Sequence, residues 1–411
     1  MMSDRTNIFF IKSFNRLRNK AQIFSSLADD HYHTRLMHSL EVEAISIQIA
    51  QELQKMRSGN KIKSIDYTKL SSIALLHDIG HTPFGHVGER TLHMICSGVL
   101  KIPSLPDFNK YDVACGFKHN INSAIIYKEH LLQHYSKIDD FDVDILDGLM
   151  KHSSLYYKRK KKFDYGFEYV NAGLPREIKY NQNPATIEGL IVACADEISQ
   201  ICSDYCDLKR SGADISKLEK TKPFCKSNSD DLNEFIIQCK NYLVDVLVNN
   251  LSERSTYKTI TNGVFGTILK DFDNERTRII KSNMMIVAHD STKAKYIEEL
   301  FKYYFVNGLN RFEILEDFYY RIKRMKYNID VVKEILALNI KEPDGIKKYF
   351  NEVVYPNISK ECTEDFSKKK RASYRLIYRT YIRTIAIHIS KMSDSYANHK
   401  VEKIMSVQQV S

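Results

Sequence analysis

Apolar residues at steps of three and four constrain most strongly what this chain can fold into. One such series is typical of a helix with one buried face, and it consists of His38, Val42, Ile45, Ile49 and Leu53. A similar series runs from Leu70 to His77. The C-terminal half is rich in helix formers, and the whole chain has only 15 glycines and 8 prolines among 411 residues. The sequence therefore predicts an all-α protein.

Composition and charge set looser limits. The chain is 43% hydrophobic and 27% charged, which is typical of a globular protein with a large core. Its net charge of +10 suits phosphate-bearing ligands and equally suits a solvated surface. The eight cysteines form no CxxC pair or zinc-knuckle spacing, which favours a reduced intracellular setting. Because no apolar run approaches the roughly 20 residues of a membrane span and the start of the chain has no signal-peptide pattern, we expect a cytoplasmic protein without membrane contact.

The densest group of chemically active side chains lies in the segment LLHDIGHTPFGHVGE, residues 75–89. It contains His77, Asp78, His81, His86 and Glu89. Gly80 is predicted to end the first helix, and Thr82-Pro83 is predicted to supply the N-cap and first residue of the next. His86 and Glu89 then lie three residues apart on that second helix, so they can contact each other.

Another candidate group lies on a long helix predicted from Ile187 onward. Asp196, Gln200 and Asp204 are spaced by four, so their side chains project from one face. Asp196 follows an apolar run, where an unpaired carboxylate would be costly to bury. The carboxylate of Asp196 would be neutralised either by a metal ion or by a lysine or arginine partner. The residues alone leave both interpretations open.

Helical periodicity lapses between Ser153 and Pro184. The basic run 158–162, KRKKK, lies inside this stretch. We expect an exposed insertion near 155–183, whose charges form a solvated face or contact nucleic acid or phosphate.

Four residues form a combination that a metal site would explain: His38, the pair His77-Asp78, and Asp196. Two imidazoles and two carboxylates suit a divalent ion such as Mn, Fe, Co, Ni or Zn, and less ideally Mg. In this order the residues resemble the H…HD…D signature of the HD phosphohydrolase superfamily. The segments HTRLMHSLEV, LLHDIGHTPFGHVGE, FKHNINS, DGLMKHS, ADEISQICSDYCD and ISKMSDSYA further resemble successive motifs of its dGTPase group, the deoxynucleoside triphosphate triphosphohydrolases.

The resemblance implies a metal ion and a reaction. One divalent ion per site, Mn²⁺ or Mg²⁺ in the first place, would be held by His38, His77, Asp78 and Asp196. The implied reaction converts a dNTP, dGTP above all, and water into a deoxynucleoside and inorganic tripolyphosphate. His86 would act as the catalytic acid/base.

The resemblance also implies positions for the remaining motif residues. Glu89 would orient His86, and His81 would lie beside the phosphates. The implied substrate contacts are Arg35 to phosphate, Gln22 and Asp204 to the sugar 3′-hydroxyl, His119 and His152 near the phosphates, and Gln200 under the sugar. For His119 and His152 a structural role is an equal alternative.

Three positions depart from the family pattern. The family usually has a tyrosine that stacks under the sugar where this chain has Gln200, which removes an aromatic platform. Asn122 replaces a common glutamine, and Thr82 replaces a common proline. The change at Gln200 leaves the pose of the sugar, and with it the preferred base, open.

The resemblance implies an HD-domain helical bundle with a helical C-terminal extension. Residues 1–300 would form the phosphohydrolase core, and residues 301–411 would pack on it and take part in oligomer contacts. A homo-oligomer, hexameric or tetrameric, is implied, as is stimulation by a dNTP or single-stranded DNA.

Two other functions stay open from the sequence. One is a nucleotide-sensing or nucleic-acid-binding regulator that keeps the fold and has little turnover, which Gln200 and the basic runs favour. The other is an HD phosphodiesterase acting on other nucleotides, against which the His86-Glu89 pair argues.

Overall fold

The computed structural model describes residues 5–22, 33–56, 65–103, 105–110, 112–134, 143–152, 174–175, 178, 183–251, 255–324, 330–359 and 365–408. The basic run 158–162 and most of the insertion predicted near 155–183 lie outside these residues. In the described part every regular element is a helix, and one isolated antiparallel bridge joins Ala21 to Thr34. The predicted all-α class is confirmed.

The α-helices of the first part of the chain are α1 (Arg5–Ile8), α2 (Lys12–Arg16), α3 (Arg35–Met56), α4 (Tyr67–Leu76), α5 (Gly85–Cys96), α6 (His119–His134), α7 (Val143–Lys151), α8 (Ile187–Arg210) and α9 (Leu232–Val248). Those of the second part are α10 (Tyr257–Asn262), α11 (Val264–Ser282), α12 (Met284–Asn307), α13 (Phe312–Lys323), α14 (Asp330–Ala337), α15 (Pro343–Tyr349), α16 (Tyr355–Ser359), α17 (Asp365–Ser390) and α18 (Asp394–Gln408). A π-helical turn, Phe350–Val354, joins α15 to α16. None of the described helices is long and apolar enough to cross a membrane.

The chain divides into two compact units. The first comprises Met1–Gly85, His119–Lys162 and Glu177–Ser291. Its centre is formed by α3, which packs against α4 and α8. The series of apolar residues predicted for α3 is buried along its length, as expected. Side-chain caps fix the first residues of α4 and α8. The Asp66 side chain accepts hydrogen bonds from backbone amides in the first turn of α4, and the Thr186 side chain accepts one from the first turn of α8.

The second unit comprises His86–Lys118, Phe163–Arg176 and Thr292–Ser411. Its core is aromatic, with edge and tilted contacts among Phe108, Phe305, Tyr378 and Tyr381. The Tyr381 hydroxyl donates a hydrogen bond of 2.8 Å to the Phe305 carbonyl. The predicted division into a core of residues 1–300 and a C-terminal region of residues 301–411 stays a prediction.

The helix predicted to start at Pro83 instead begins at Gly85. Phe84 and Gly85 both have positive φ, 63° and 58°. A right-handed helix cannot continue through two successive residues of that conformation, so Pro83 and Phe84 stay outside α5 and Gly85 is its first residue. A Cβ atom at position 85 would also lie 3.2 Å from the Gln22 carbonyl oxygen, which favours glycine there.

Candidate active site

The His77-Asp78 pair lies in the turn that follows α4. His77 Nδ1 lies 2.7 Å from the carbonyl oxygen of Ala74, one turn back in the same helix. A carbonyl only accepts, so Nδ1 carries the proton and Nε2 of the neutral ring carries a lone pair. Nε2 is buried and has no hydrogen-bond partner among the described residues. A buried, unpartnered lone pair of this kind is what a metal ion would satisfy.

The motif FKHNINS holds this turn in place. The Ser123 hydroxyl donates to the His77 carbonyl at 2.6 Å and accepts from the Gly80 amide at 2.9 Å. The Asn122 amide donates to the Gly80 carbonyl at 2.7 Å, so the asparagine found in place of the common glutamine has a structural partner. A Cβ atom at position 80 would lie 2.2 Å from the Ser123 amide nitrogen, and only glycine fits so close an approach.

The other two predicted ligands come from α3 and α8. His38 Nε2 lies 2.9 Å from Asp196 Oδ1, and His77 Nε2 lies 3.7 Å from the same oxygen. His77 Nε2 is also 3.8 Å from Asp78 Oδ1. The ligand atoms of His38, His77 and Asp78 all lie within 4.8 Å of one another. The four residues predicted as ligands therefore converge in the first unit.

Burial and mutual charge set the protonation of this cluster. Burial opposes charge on Asp78, yet the Arg35 guanidinium beside it and the nearby imidazoles hold its pKa well below the usual range. Burial likewise opposes charge on Asp196, but the hydrogen bond with His38 and the nearby His77 hold its pKa at about 2. Burial lowers and Asp196 raises the pKa of His38, with a net rise. A proton is thus shared where His38 meets Asp196, and a cation bound there would displace it.

Three further histidines lie beside these ligands. The backbone orients His152 as it does His77, since Nδ1 donates to the Leu149 carbonyl at 2.7 Å. His152 Nε2 is 3.2 Å from His119 Nε2, and the His119 ring stacks on His81 with centroids 4.6 Å apart. Burial and the neighbouring His77 and His119 lower the pKa of His152 to about 3, so its ring is neutral. The ligand atoms of His152, His77 and Asp196 also lie within 4.8 Å of one another, so His152 is a further candidate ligand.

The donor set fits a divalent ion. It offers imidazole nitrogens whose opposite ring nitrogens are already hydrogen-bonded, together with two ionised carboxylates, in buried surroundings. Imidazole with carboxylate is the mixture that Mn, Fe, Co, Ni and Zn accept in proteins. His38, His77, Asp78 and Asp196 would hold the ion.

Arg35 and Gln22 lie next to the cluster. One Arg35 amino group, Nη1, donates to Asp78 Oδ2, and Nη2 donates to the Gln22 carbonyl at 3.2 Å. Arg35 Nε and Gln22 Oε1 are both buried without a hydrogen-bond partner among the described residues. One donor and one acceptor are thereby available to a bound molecule.

Asp204 and Gln200 lie further along α8. Asp204 is buried and its Oδ2 accepts a hydrogen bond from Arg276 Nη1, so the predicted sugar contact is already engaged in an ion pair. Gln200 is half-buried. Both residues are on the helix that carries Asp196, as predicted.

The predicted proton-transfer pair belongs to the second unit. His86 Nδ1 lies 3.8 Å from Glu89 Oε2, which is within ion-pair range and longer than a hydrogen bond. The His86 side chain is 55% exposed, whereas Glu89 is buried. Lys118 Nζ also reaches Glu89, at 3.2 Å. Glu89 is thus shared between His86 and a lysine from the FKHNINS motif.

Sequence reasoning did not single out three residues that support the site. The Ser199 hydroxyl lies 3.0 Å from His38 Nδ1 and also contacts Glu41. Lys20 is buried and donates to the His81 carbonyl at 2.5 Å. Ser199 and Glu41 each follow a predicted ligand by three residues on a helix, and that spacing was a usable signal.

Comparisons with known proteins agree with this geometry. A model of the HD domain matches residues 35–201, a range that includes all four predicted ligands. A protein from Clostridium tetani is 28% identical over 316 residues, 75% of this chain and 73% of its own length. One from Clostridium perfringens strain 13 is 26% identical over 378 residues, 89% of this chain and 85% of its own. A third, from Geobacter metallireducens, is 32% identical over 211 residues, and that alignment covers 51% of this chain and 45% of the relative.

All three relatives are named deoxyguanosinetriphosphate triphosphohydrolase-like proteins. The HD match places the histidine and aspartate cluster in a hydrolase domain. The ordered motifs, the helical fold and the converging ligands all point the same way. Residues 35–201 therefore match the HD domain, and the chain as a whole is similar to deoxyguanosinetriphosphate triphosphohydrolase-like proteins.

Proposed function

We propose that this protein hydrolyses deoxynucleoside triphosphates, with dGTP as the preferred substrate, to a deoxynucleoside and inorganic tripolyphosphate. The observation that carries the proposal is the convergence of His38, His77, Asp78 and Asp196 in a buried cluster with an unpartnered imidazole nitrogen. The names of the relatives supply the substrate class.

The four residues are proposed as ligands of one divalent ion, Mn²⁺ or Mg²⁺. Such an ion would supply charge stabilisation for the phosphate oxygens and activation of water at neutral pH. His77 supports the assignment because its Nδ1 is tied to a backbone carbonyl and only Nε2 faces Asp196. Asp78 supports it because its carboxyl stays ionised although buried.

Arg35 and His81 are proposed to hold the triphosphate. Arg35 contacts the ligand Asp78, and its planar guanidinium is suited to oxyanions. The stacked pair His81 and His119 adds ring nitrogens beside the cluster, and His152 completes the group. Together these groups would orient the α-phosphorus for attack by water.

Gln22 and Asp204 are proposed to recognise the sugar 3′-hydroxyl. The buried Gln22 Oε1 can accept a hydrogen bond from that hydroxyl, because no described residue donates to it. Asp204 would share its carboxylate between Arg276 and the sugar. Gln200, in place of the family's tyrosine, would contact the sugar through an amide rather than an aromatic face. A closely packed sugar site of this kind discriminates between deoxyribose and ribose.

His86 is proposed as the general acid that protonates the departing 5′ oxygen. Water attacks the α-phosphorus, the bond to that oxygen breaks, and the proton from His86 completes the deoxynucleoside. Glu89 would stabilise the imidazolium form, and Lys118 contacts the same carboxylate through its other oxygen.

A product assay tests the proposal. Purified protein is incubated with Mn²⁺ or Mg²⁺ and each of the four dNTPs, and the products are separated by anion-exchange chromatography. We expect free deoxynucleoside with tripolyphosphate, fastest for dGTP, and none from Asp196→Ala. Release of orthophosphate or pyrophosphate would refute the triphosphohydrolase assignment.

A nucleotide-sensing regulator is the second candidate. The observation that favours it is the combination of Gln200 with the Arg276 ion pair on Asp204, because both change the proposed sugar site. Binding of dGTP in isothermal titration calorimetry without product in the assay above, across metals and added dNTP or single-stranded DNA, would select this function.

Assembly and organisation complete the proposal. A tetramer or hexamer is proposed, in which residues 301–411 contribute contacts between subunits. Light scattering after size exclusion measures the subunit number, and a monomer in solution would contradict this part of the proposal. A dNTP or single-stranded DNA is proposed to stimulate turnover, which the same product assay measures when either is added.

A further inference from the structure

A chain of side-chain contacts leads from His38 away from the ligand cluster. His38 Nδ1 lies 3.0 Å from the Ser199 hydroxyl, and that hydroxyl lies 3.0 Å from Glu41 Oε2. His38 and Ser199 are buried, whereas the Glu41 side chain is 31% exposed. The chain of contacts therefore connects a buried proposed ligand to the edge of the unit.

The direction of these hydrogen bonds follows from the number of protons. Ser199 has one hydroxyl proton, and the Glu41 carboxylate can only accept, so Ser199 donates to Glu41. The serine oxygen then accepts from His38 Nδ1–H. His38 Nδ1 therefore carries a proton, and Nε2, which shares a proton with Asp196 at 2.9 Å, is the ring nitrogen that can take the ion once that shared proton is displaced.

Helix spacing brings these groups together. Glu41 follows His38 by three residues on α3, and Ser199 follows Asp196 by three residues on α8. Each helix thus offers one proposed ligand and, on the same face, one group that supports a ligand. Glu41 is itself flanked by His33, whose Nε2 lies 3.7 Å from Glu41 Oε1 and whose Nδ1 lies 3.1 Å from the buried Asp207.

His38 differs in this respect from the other oriented imidazoles. His77 and His152 donate to backbone carbonyls, which no substitution removes. His38 donates to a side chain, so its orientation depends on the identity of residues 199 and 41. Groups that accept the second ring proton of a metal-binding histidine commonly change metal affinity by 10- to 100-fold when removed.

We propose that Ser199 and Glu41 are positioning residues that hold His38 in the tautomer and orientation needed to bind the ion, an inference that rests on the proposed function. Without Glu41, the Ser199 hydroxyl is released to donate to His38 Nδ1. The ring proton then moves to Nε2, where it blocks the ion. Without Ser199, His38 Nδ1–H loses its acceptor and the ring loses its fixed orientation.

Metal affinity of the full chain tests the proposal. The dissociation constant for Mn²⁺ is measured by electron paramagnetic resonance of the free ion, without nucleotide. Ser199→Ala and Glu41→Ala are each expected to weaken binding by roughly 10- to 100-fold. Matched controls lie on the same helices: Ser203, whose hydroxyl donates to the Gln200 carbonyl, and Glu43, which pairs with Arg5. Ser203→Ala and Glu43→Ala are expected to keep the wild-type dissociation constant.

The double variant Ser199→Ala with Glu41→Ala separates a relay from two independent effects. Because the hydrogen bond of Glu41 reaches His38 through Ser199, the double variant should bind Mn²⁺ about as weakly as Ser199→Ala alone. Losses that multiply would overturn the relay. Equal Mn²⁺ affinity of Glu41→Ala and the wild type would also overturn the proposed role of Glu41. Because the Glu41 side chain is partly exposed, we expect Glu41→Ala to fold.

The outcomes also separate this inference from the proposed function. Tripolyphosphate release by the wild type, together with unchanged Mn²⁺ affinity in both single variants, would refute only the positioning role. Wild-type protein that neither binds Mn²⁺ nor releases tripolyphosphate would refute the proposed function and the inference with it. Thermal unfolding of the metal-free variants identifies any loss of affinity that comes from loss of structure.

Discussion

Gly80→Ala should damage both the stability of the protein and its metal site. The added Cβ atom would lie 2.2 Å from the Ser123 amide nitrogen and 2.5 Å from the His119 carbonyl oxygen. Both are backbone atoms at the start of α6, so no side-chain rotation relieves the overlap. Either the turn that carries His77 and Asp78 or the first turn of α6 must move, by about 1 Å, to reach ordinary contact distance.

The expected loss combines two contributions. Forcing one extra carbon into a packed interior costs about 1–3 kcal/mol. The same movement strains three hydrogen bonds of 2.6 to 2.9 Å between the turn and residues 122–123, and losing one buried bond costs about 1–3 kcal/mol. We therefore expect the free energy of unfolding to fall by about 2–6 kcal/mol, the sum of one overpacking and one hydrogen-bond contribution.

Urea unfolding of the metal-free protein, followed by circular dichroism, measures this loss. Gly345→Ala is the matched control, because Gly345 lies in α15 and a Cβ atom there meets nothing within 4 Å. The free energy of unfolding of Gly345→Ala should rise by roughly 0.5–1 kcal/mol, since alanine is the better helix former. Mn²⁺ affinity should fall for Gly80→Ala and stay unchanged for Gly345→Ala. An unfolding midpoint for Gly80→Ala equal to that of the wild type would refute the reasoning about close backbone packing.

Three further predictions concern protons and charges. His86→Ala should abolish turnover and keep a near-normal metal content, whereas Asp196→Ala should lose both turnover and bound metal. Turnover assays and elemental analysis check this. Wild-type turnover of His86→Ala would contradict the acid/base role of His86. The pKa of His152 is lowered to about 3 in the folded protein, so the unfolded chain binds more protons below pH 6.5. Stability of the metal-free protein should accordingly fall as pH drops from 6.5 to 4, and urea midpoints for His152→Gln should fall less. Arg276→Leu removes the guanidinium that pairs with the buried Asp204 carboxylate and should lower the free energy of unfolding by about 3 kcal/mol, measured by urea unfolding. A second change, Asp204→Leu, should recover most of that loss.

The helical fold was predictable because it depends on local spacing. The apolar series of α3 repeats with the period of a helix, and burial of that face follows in any bundle. The resemblance of the ordered motifs to a known family placed His38, His77, Asp78 and Asp196 in one site, and the structure brings these side chains together. Their roles as ligands, and the roles given to His86 and Glu89, stay predictions.

Other features were not predictable because they depend on partners far along the chain. The Arg276 ion pair joins Asp204 to a residue 72 positions away, and Ser199 meets Glu41 across 158 positions. Nothing in the spacing of one helix says which residue of another will face it. The start of α5 was predicted wrongly for a local reason, because the positive φ of Phe84 runs against the usual preference of a phenylalanine.

The contacts of His77 and His152 with their own helices have a wider consequence. Each ring is aimed by a carbonyl three residues earlier, at the end of α4 and of α7. The hydrogen bond that orients each imidazole thus lies within a stretch of four residues and involves no other helix. Sliding one helix against another would move such a ring without turning it. The orientation of both rings should therefore tolerate small shifts between helices, provided that α4 and α7 end at the same residues. A substitution that lengthened either helix would change the orientation of its histidine ring even if it caused no steric clash.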